Sequence, residues 1–325
     1  MNILTRYSLF FVYTRLSYTD RIRGIMNETG EFRTGFVAVM GRPNVGKSTL
    51  INALIGQKVA AVSARPQTTR RRQEGIITTE KYQIILIDTP GVHHPRSKLG
   101  ESMNMEARSA LEHCDLVLFM VDASQMPAEE DRLLGSMLHS MVREEAIILV
   151  LNKIDLVPPG QIQAMMDAYQ GLIPIGDTIL ISATRGDNRN ELLEKVIAHM
   201  PRGEPFYPEE QVTDLFERDI CADLVREACL NFLHYEVPHG IVVRIDEYTE
   251  RNEQGVYIEA TIFVERESHK GIVIGQNGQM LKRIGIAARK EIEAMNGKKV
   301  YLQLRVKVRK NWRDDEKMVR QLFNQ

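Results

Sequence analysis

Cysteine is nearly absent from this chain. Its three copies, Cys114, Cys221 and Cys229, are odd in number and show no C-x-x-C spacing, which argues against a disulfide framework or a cysteine zinc site and fits a reducing cytosol. Aromatic residues make up only 6% of the 325 positions, with one tryptophan. No apolar run approaches the about 18 residues that a membrane-spanning helix needs. Net charge is also small, minus 1 with histidine neutral. What is present is ordinary for a soluble protein: 43% apolar and 26% charged residues, neither disordered nor low in complexity. The length exceeds what one hydrophobic core usually organises, so two domains are expected.

The small net charge hides an asymmetry. From His269 onward there are 14 Lys and Arg against 5 Asp and Glu, leaving 28 basic and 38 acidic residues upstream. A basic C-terminal end implies a polyanionic partner there. Residues 1–25 form another outlier, with Arg6, Arg15, Arg21 and Arg23 against the single acid Asp20. The favoured reading is that translation begins at Met26. An Arg-rich transit or membrane-surface segment and an unstructured tail are the alternatives.

The organising stretch is Gly41-Arg42-Pro43-Asn44-Val45-Gly46-Lys47-Ser48-Thr49. It fits the phosphate-loop pattern G-x-x-x-x-G-K-[ST] and lies between the apolar run Phe36-Val37-Ala38-Val39-Met40 and a helical stretch beginning at Leu50. Glycines let backbone N–H groups wrap a polyphosphate, Lys47 spans the outer phosphates and Ser48 can ligate Mg²⁺. The irregular segment 63–72 contains Thr68 and Thr69. A hydroxyl in such a switch loop completes a Mg²⁺ shell when a γ-phosphate is present, and Thr69 is preferred over Thr68 for that role.

A buried strand over 82–87 leads into Asp88-Thr89-Pro90-Gly91, 41 residues after Lys47. Asp88 is placed to hold Mg²⁺ through water and Gly91 to bring its N–H to the γ-phosphate. Val92 stands where many GTPases carry a water-orienting glutamine. His93 and His94 follow, read as solvated rather than catalytic. Two further continuous apolar runs, 116–121 and 146–151, indicate parallel strands covered on both faces, with a helix over 127–143 between them.

The second run ends in Asn152-Lys153-Ile154-Asp155. The Asp155 carboxylate can accept from the N1 and 2-amino donors of guanine, a pair adenine does not offer. Asn152 would tie the loop together and the Lys153 stem would cover the base. Ser182-Ala183-Thr184 follows another strand and can reach the guanine O6 through its backbone. Lys47, Thr69, Asp88 and Gly91 thus form the candidate catalytic set, with GTP and GDP as ligands.

A helix over 190–200 closes the first domain, and three prolines within 201–208 mark a linker. The expected division is an N-terminal extension over 1–33, a nucleotide domain over 34–200, a linker over 201–210 and a second domain over 211–325. In the second domain an amphipathic helix over 211–234, with Val212 opening its apolar stripe, precedes two alternating strands over 241–248 and 256–264. Then come Gly275-Gln276-Asn277-Gly278, a helix over 279–295 and a strand over 301–310. That order, with a G-x-x-G loop between helices, is that of a type II KH domain, whose glycine loop lets backbone approach about four single-stranded nucleotides. Candidate RNA-binding residues are Lys270, Gly275, Gln276, Asn277, Gly278, Lys282 and Arg283, with Arg305, Lys307 and Arg309 on the basic face of the last strand.

The fold expected is therefore an α/β P-loop GTPase domain with a mostly parallel doubly wound sheet, followed by an α+β type II KH domain. From residue 26 onward the chain resembles the Era family of bacterial GTPases. Besides the GTP motifs, the resemblance rests on Gln67-Thr68-Thr69-Arg70, on Tyr207-Pro208-Glu209-Glu210-Gln211-Val212-Thr213-Asp214 and on Val306-Lys307-Val308-Arg309-Lys310-Asn311-Trp312-Arg313-Asp314-Asp315-Glu316. It implies GTP hydrolysis coupled to assembly of the small (30S) ribosomal subunit, a KH domain holding RNA near the 3′ end of 16S rRNA, and peripheral contact with the inner membrane by an otherwise cytoplasmic, monomeric protein. Val92 agrees with the apolar residue that the family carries there, so slow intrinsic turnover is implied. An asparagine placed like Asn44 coordinates K⁺ in related GTPases, which implies K⁺ stimulation. A P-loop kinase or ATPase is opposed by Asn152-Lys153-Ile154-Asp155, and an RNA-binding module with a vestigial nucleotide domain by the complete set of nucleotide motifs.

Overall fold

The computed structural model describes residues 32–323, except 64, 66, 67, 93, 94, 96, 253 and 254. The expectations for residues 1–31, Gln67, His93 and His94 lie outside the described residues.

The first domain is built on a six-stranded sheet in the order β2-β3-β1-β4-β5-β6. The strands are β1 (Arg33–Met40), β2 (Gln73–Thr78), β3 (Tyr82–Asp88), β4 (Leu116–Asp122), β5 (Ile147–Asn152) and β6 (Asp177–Leu180). All neighbours pair in parallel except β2, which runs antiparallel to β3. The continuous apolar runs become the central strands because both faces are covered. On one face α1 (Lys47–Ile55) and α5 (Arg189–His199) pack with Leu50, Ile51, Leu192 and Val196. On the other, α2 (Lys98–Glu112), α3 (Glu129–Met141) and α4 (Ile162–Gln170) contribute Ala107, Leu134 and Tyr169. From β1 the chain builds to one side through β2 and β3, then returns to the other side with β4. The loop after β1 therefore opens at the topological switch point, where ligands bind in such sheets.

The stretch expected to be a plain linker runs along this domain. Gly203 N–H donates to Phe32 O at 3.1 Å, and the amides of Phe206 and Tyr207 donate to the buried Gln83 side chain at 2.6 and 2.9 Å. Further on, Ile76 N–H donates to Val212 O at 2.9 Å. Val212 packs into the nucleotide-domain core rather than opening the next helix. That helix, α6 (Glu217–Phe232), starts six residues later than the expected 211. The exposed edge of β2 takes the preceding segment as a partner, a tertiary demand that local periodicity does not contain.

The second domain has three strands, β7 (Val242–Asn252), β8 (Gly255–Val264) and β9 (Lys299–Val308), with β7 antiparallel and β9 parallel to β8. Helices α6, α7 (Glu267–Ile274) and α8 (Gln279–Asn296) cover one face through Leu224, Val225, Val273, Ile284, Ala288 and Ile292. A short turn at Trp312–Asp314 and helix α9 (Glu316–Phe323) follow β9. This tail returns to the first domain: Trp312, Met318 and Val319 share a buried cluster with Leu99 and Met103 of α2 and with Val242 and Phe263.

Candidate functional site

The loop after β1 folds around the Lys47 side chain. The ammonium donates to the carbonyls of Gly41 and Arg42 at 2.9 and 3.1 Å, and the residue is 6% exposed. Burial pushes its pKa down to about 8, with the Asp88 charge opposing the shift. Pro43, Asn44, Gly46, Ser48, Thr49, Thr69 and Gly91 line the same cleft. Arg42 points away, paired with the buried Asp131 at 3.2 Å. Gly91 approaches so closely that a β-carbon there would sit 2.7 Å from the Pro43 nitrogen. Only a glycine lets the loop after β3 touch the phosphate loop in this way.

Three residues from separate elements meet beside Lys47. Ser48 and Thr69 hydroxyls lie 3.1 Å apart, and each donates to Asp88 Oδ2, at 2.7 and 2.9 Å. Gln73 Nε2 donates to the same oxygen at 3.1 Å. The other oxygen, Asp88 Oδ1, is buried and has no hydrogen-bond partner among the described residues. Burial raises the Asp88 pKa, opposed by the Lys47 charge and by the Ser48, Thr69 and Gln73 hydrogen bonds. A hard divalent cation takes such a donor set of hydroxyls and carboxylate, and an orphaned carboxylate oxygen can accept from one of its waters. The residues present fit Mg²⁺. Gln73 escaped the sequence reading because no motif spacing marks it. Thr68, the second choice, instead donates to Arg65 O at 2.8 Å. Thr89 is turned inward, its hydroxyl bonded to Val39 O at 2.7 Å, and Val92 is buried against the α2 side of the core.

The base-reading end is assembled by Asn152. Its Nδ2 donates to Val45 O at 2.7 Å and its Oδ1 accepts from Ala183 N–H at 2.9 Å. One amide thereby joins the phosphate loop to the Ser182-Ala183-Thr184 segment. Lys153, in a left-handed conformation, extends its ammonium to Asn44 O at 2.8 Å and to Asp122 Oδ2 at 2.7 Å. Asp122, at the end of β4, was not singled out by any motif, and its partners Lys153 and Ser124 hold its carboxyl below the usual range against the opposing effect of burial. Asp155 is exposed. Pro90 is buried and Thr184 exposed.

The candidate RNA-binding residues separate onto two surfaces. Lys270, Gly275, Gln276, Asn277, Gly278 and Lys282 gather on α7, the glycine turn and α8. Arg283 turns back, its guanidinium 4.9 Å from the Phe232 ring centre. Arg305 and Lys307 do not join them. Leu302, Leu304, Val306 and Val308 pack toward the helices, so the alternating basic residues of β9 point to the opposite sheet face. Arg309 pairs with Asp315 at 2.9 Å.

The switch segment is held by the second domain. Arg70 is half-buried, donating to His239 O and Ile241 O at 3.0 and 2.6 Å, with its guanidinium 5.5 Å from the Trp312 ring centre. Arg226 donates to Thr68 O. Glu227 accepts from Val62 N–H at 3.1 Å and from Lys58 at 2.8 Å, and Glu291 takes the same ammonium at 2.7 Å. Nothing local in sequence announces these contacts.

Comparison with known proteins agrees with this geometry. Residues 36–153 match the family described as 50S ribosome-binding GTPase, and residues 236–313 match the KH domain. The GTPase Era of Caldanaerobacter subterraneus subsp. tengcongensis is 47% identical over 90% of this chain and 97% of its own. The chain belongs to the Era GTPase family. Era of Thermoanaerobacter sp. strain X514 is 43% identical over 89% of this chain and 96% of its own. A solved Era in complex with MgGDPNP and nucleotides 1506-1542 of 16S ribosomal RNA superposes with a TM-score of 0.84, at 38% identity, covering 90% of this chain and 98% of that one. A variant of Aquifex aeolicus Era bound to GDP.AlF4- gives 0.83 at the same identity, covering 90% and 99%. Like those proteins, this Era family member is a P-loop GTPase with a C-terminal KH domain. Among the described residues no helix is long and apolar enough to cross a membrane.

Proposed function

We propose that this protein binds GTP with Mg²⁺ at the cleft after β1, hydrolyses it, and uses the nucleotide state to control how its KH domain holds 16S rRNA near the 3′ end during assembly of the small ribosomal subunit. The observation that carries this reading is one continuous connection. Thr69 contacts Ser48 and Asp88 at the phosphate end, while the adjacent Arg70 is bonded into the second domain.

In this reading Lys47 carries its charge onto the outer phosphates, and Ser48, Thr69 and Asp88 would hold Mg²⁺, the last through water; the ion would supply positive charge against that developing on the transferred phosphoryl group. Gly91 N–H and the phosphate-loop amides orient the γ-phosphate. Asp155 accepts from the two guanine donors, with Asn152 holding the Ser182-Ala183-Thr184 turn against the phosphate loop on the O6 side. Val92 leaves the attacking water without a glutamine, so turnover is slow. Asn44 is the residue placed to hold K⁺, which would add positive charge at the transition state. Hydrolysis is expected to run several-fold faster in K⁺ than in Na⁺ buffer; equal rates would remove this role.

The whole reading is tested by the affinity of fluorescently labelled RNA from the 3′ end of 16S rRNA, with GDP or a non-hydrolysable GTP analogue, for wild type and Gly278→Asp. Gly278 has φ +75° and no atom lies within 4 Å of a β-carbon built there, so the aspartate adds a charge to the loop at a cost of about 1 kcal/mol of backbone strain and meets no core side chain. Tight binding that depends on the nucleotide and falls at least about tenfold in the variant is expected, since a carboxylate there repels the RNA backbone. Binding indifferent to both changes would mean charge attraction alone and overturn the proposal.

A further inference from the structure

The three-stranded sheet of the KH domain has one face under its helices; the other is covered at its Phe263 end by Trp312, Met318, Val319 and α2, and is open to solvent toward Tyr257 and Tyr301. On the open face two tyrosines stand side by side, Tyr257 of β8 and its register partner Tyr301 of β9. Their rings stack with centres 5.5 Å apart and planes 13° from parallel. Arg251 lies at a register shift in β7, a bulge that re-aims its side chain, and its guanidinium sits 4.5 Å from the Tyr257 ring centre. The Tyr257 hydroxyl is shared between Glu259 and Gln303 side chains, which locks its ring. Arginine, tyrosine and tyrosine thus form a layered row that runs across the sheet and ends at β9, the edge strand.

The last ring of that row is open. Tyr301 is 65% exposed, too much for a ring whose purpose is to bury area. On the same strand face Lys299 is its neighbour on one side, and beyond Gln303 on the other come Arg305 and Lys307, about 7 Å between successive side chains. Glu259, the acid nearest the row, is already paired with Arg305 at 3.1 Å. A stacked aromatic platform rimmed by cations is what binds a single-stranded nucleic acid without reading its sequence, because every base offers a flat face and every link a phosphate.

We infer that the open sheet face of the KH domain is a second contact for single-stranded RNA, taking one base on Tyr301 and phosphates on Lys299 and Lys307, for nucleotides lying beyond those held at the glycine turn. The inference rests on the RNA-binding reading above, with the strand leaving the turn and passing over the edge strand β9. Lys307, separated from the glycine turn by the thickness of the sheet, acquires a role that the groove cannot give it, while Arg305 neutralises Glu259 beside the row.

Two oligouridylates, of 5 and 15 nucleotides, distinguish the surfaces in anisotropy titrations with the full-length protein. About four nucleotides fill the groove at the glycine turn. The short probe should therefore bind wild type and Tyr301→Ala alike and lose affinity in Gly278→Asp. The long probe should bind wild type more tightly than the short one, lose about tenfold in Tyr301→Ala, and recover in Tyr301→Phe, which keeps the stacking face. Thermal melts should be unchanged, since the ring is largely exposed. If the long probe binds Tyr301→Ala as it binds wild type, the second contact is absent, and the platform serves another partner or none. If instead Gly278→Asp leaves the short probe unaffected, it is the groove reading that fails.

Discussion

Replacing Gly46 with alanine is expected to lower affinity for GTP and GDP on the order of 100-fold or more. Gly46 has φ +107°, and a β-carbon there would lie 2.5 Å from the Asn152 Nδ2. The left-handed region alone costs an L-residue about 1–2 kcal/mol. The contact adds more, because Asn152 cannot retreat without giving up Val45 O and Ala183 N–H together. Losing that one amide loosens the phosphate loop and the base-side loop at once. Gly56 supplies the control: it too has positive φ, at +81°, but nothing stands within 4 Å of its added carbon. Gly56→Ala should cost about 1 kcal/mol of stability, from backbone strain alone, and leave nucleotide affinity unchanged. Fluorescent-GDP titration of both variants decides the matter. A Gly46→Ala protein binding within threefold of wild type would mean the Asn152 bridge does not organise the site.

Arg70→Ala should abolish the difference in RNA affinity between the GDP and GTP-analogue forms while leaving GTP affinity close to wild type. The arginine is not one of the residues that line the cleft, yet it is covalently next to Thr69, which is, and it is bonded to two carbonyls of the second domain. Each hydrogen bond from a charged donor is worth about 1.5–3 kcal/mol, and the contact over Trp312 adds about 1–2 kcal/mol where water is excluded. That is enough to transmit a shift of Thr69 to the KH domain, since a coupling of about 1–3 kcal/mol changes affinity by 5–150-fold. Arg70→Lys should fail nearly as badly, because an ammonium cannot replace the fork that reaches both carbonyls. A ratio of RNA affinities in the two nucleotide states that survives Arg70→Ala would assign the coupling to the Lys58, Glu227 and Glu291 contacts instead.

How much of this was legible beforehand depended on whether a feature was local. Continuous apolar runs ending in a motif residue marked β1, β3, β4 and β5, because a strand covered on both faces has no room for polar side chains. β2 gave no such signal: Gln73-Glu74-Gly75 opens it, and it lies near the edge, so polar residues are tolerated. Val212 has the spacing of the following helix, yet its carbonyl completes the β2 edge at Ile76, and a sheet edge outweighs a frayed helical turn. In β9 alternation revealed that the strand had an apolar and a basic face. It could not say that the glycine turn lay on the apolar side, which is why Arg305 and Lys307 were grouped with residues they do not meet. The contacts of Arg70, Arg226 and Glu227 join positions roughly 160 residues apart, and no short pattern encodes them.

Trp312 has a consequence in the order in which the chain is made. It is completely buried at the seam, its indole N–H bonded to Gly240 O at 2.8 Å, and it lies 13 residues from the C-terminus. The nucleotide domain needs nothing beyond Asp214 to complete its sheet and the two clusters on either side of it, although Leu99 and Met103 of α2 wait for the tail. At the usual pace of synthesis, the roughly 100 residues separating the two take about 5–20 seconds to emerge. The carbonyls of His239 and Ile241 are made early in that interval, so what Arg70 lacks until its end is the Trp312 ring over its guanidinium. The seam between the two domains is thus the last part of the molecule to be supplied, and it is supplied by the tail.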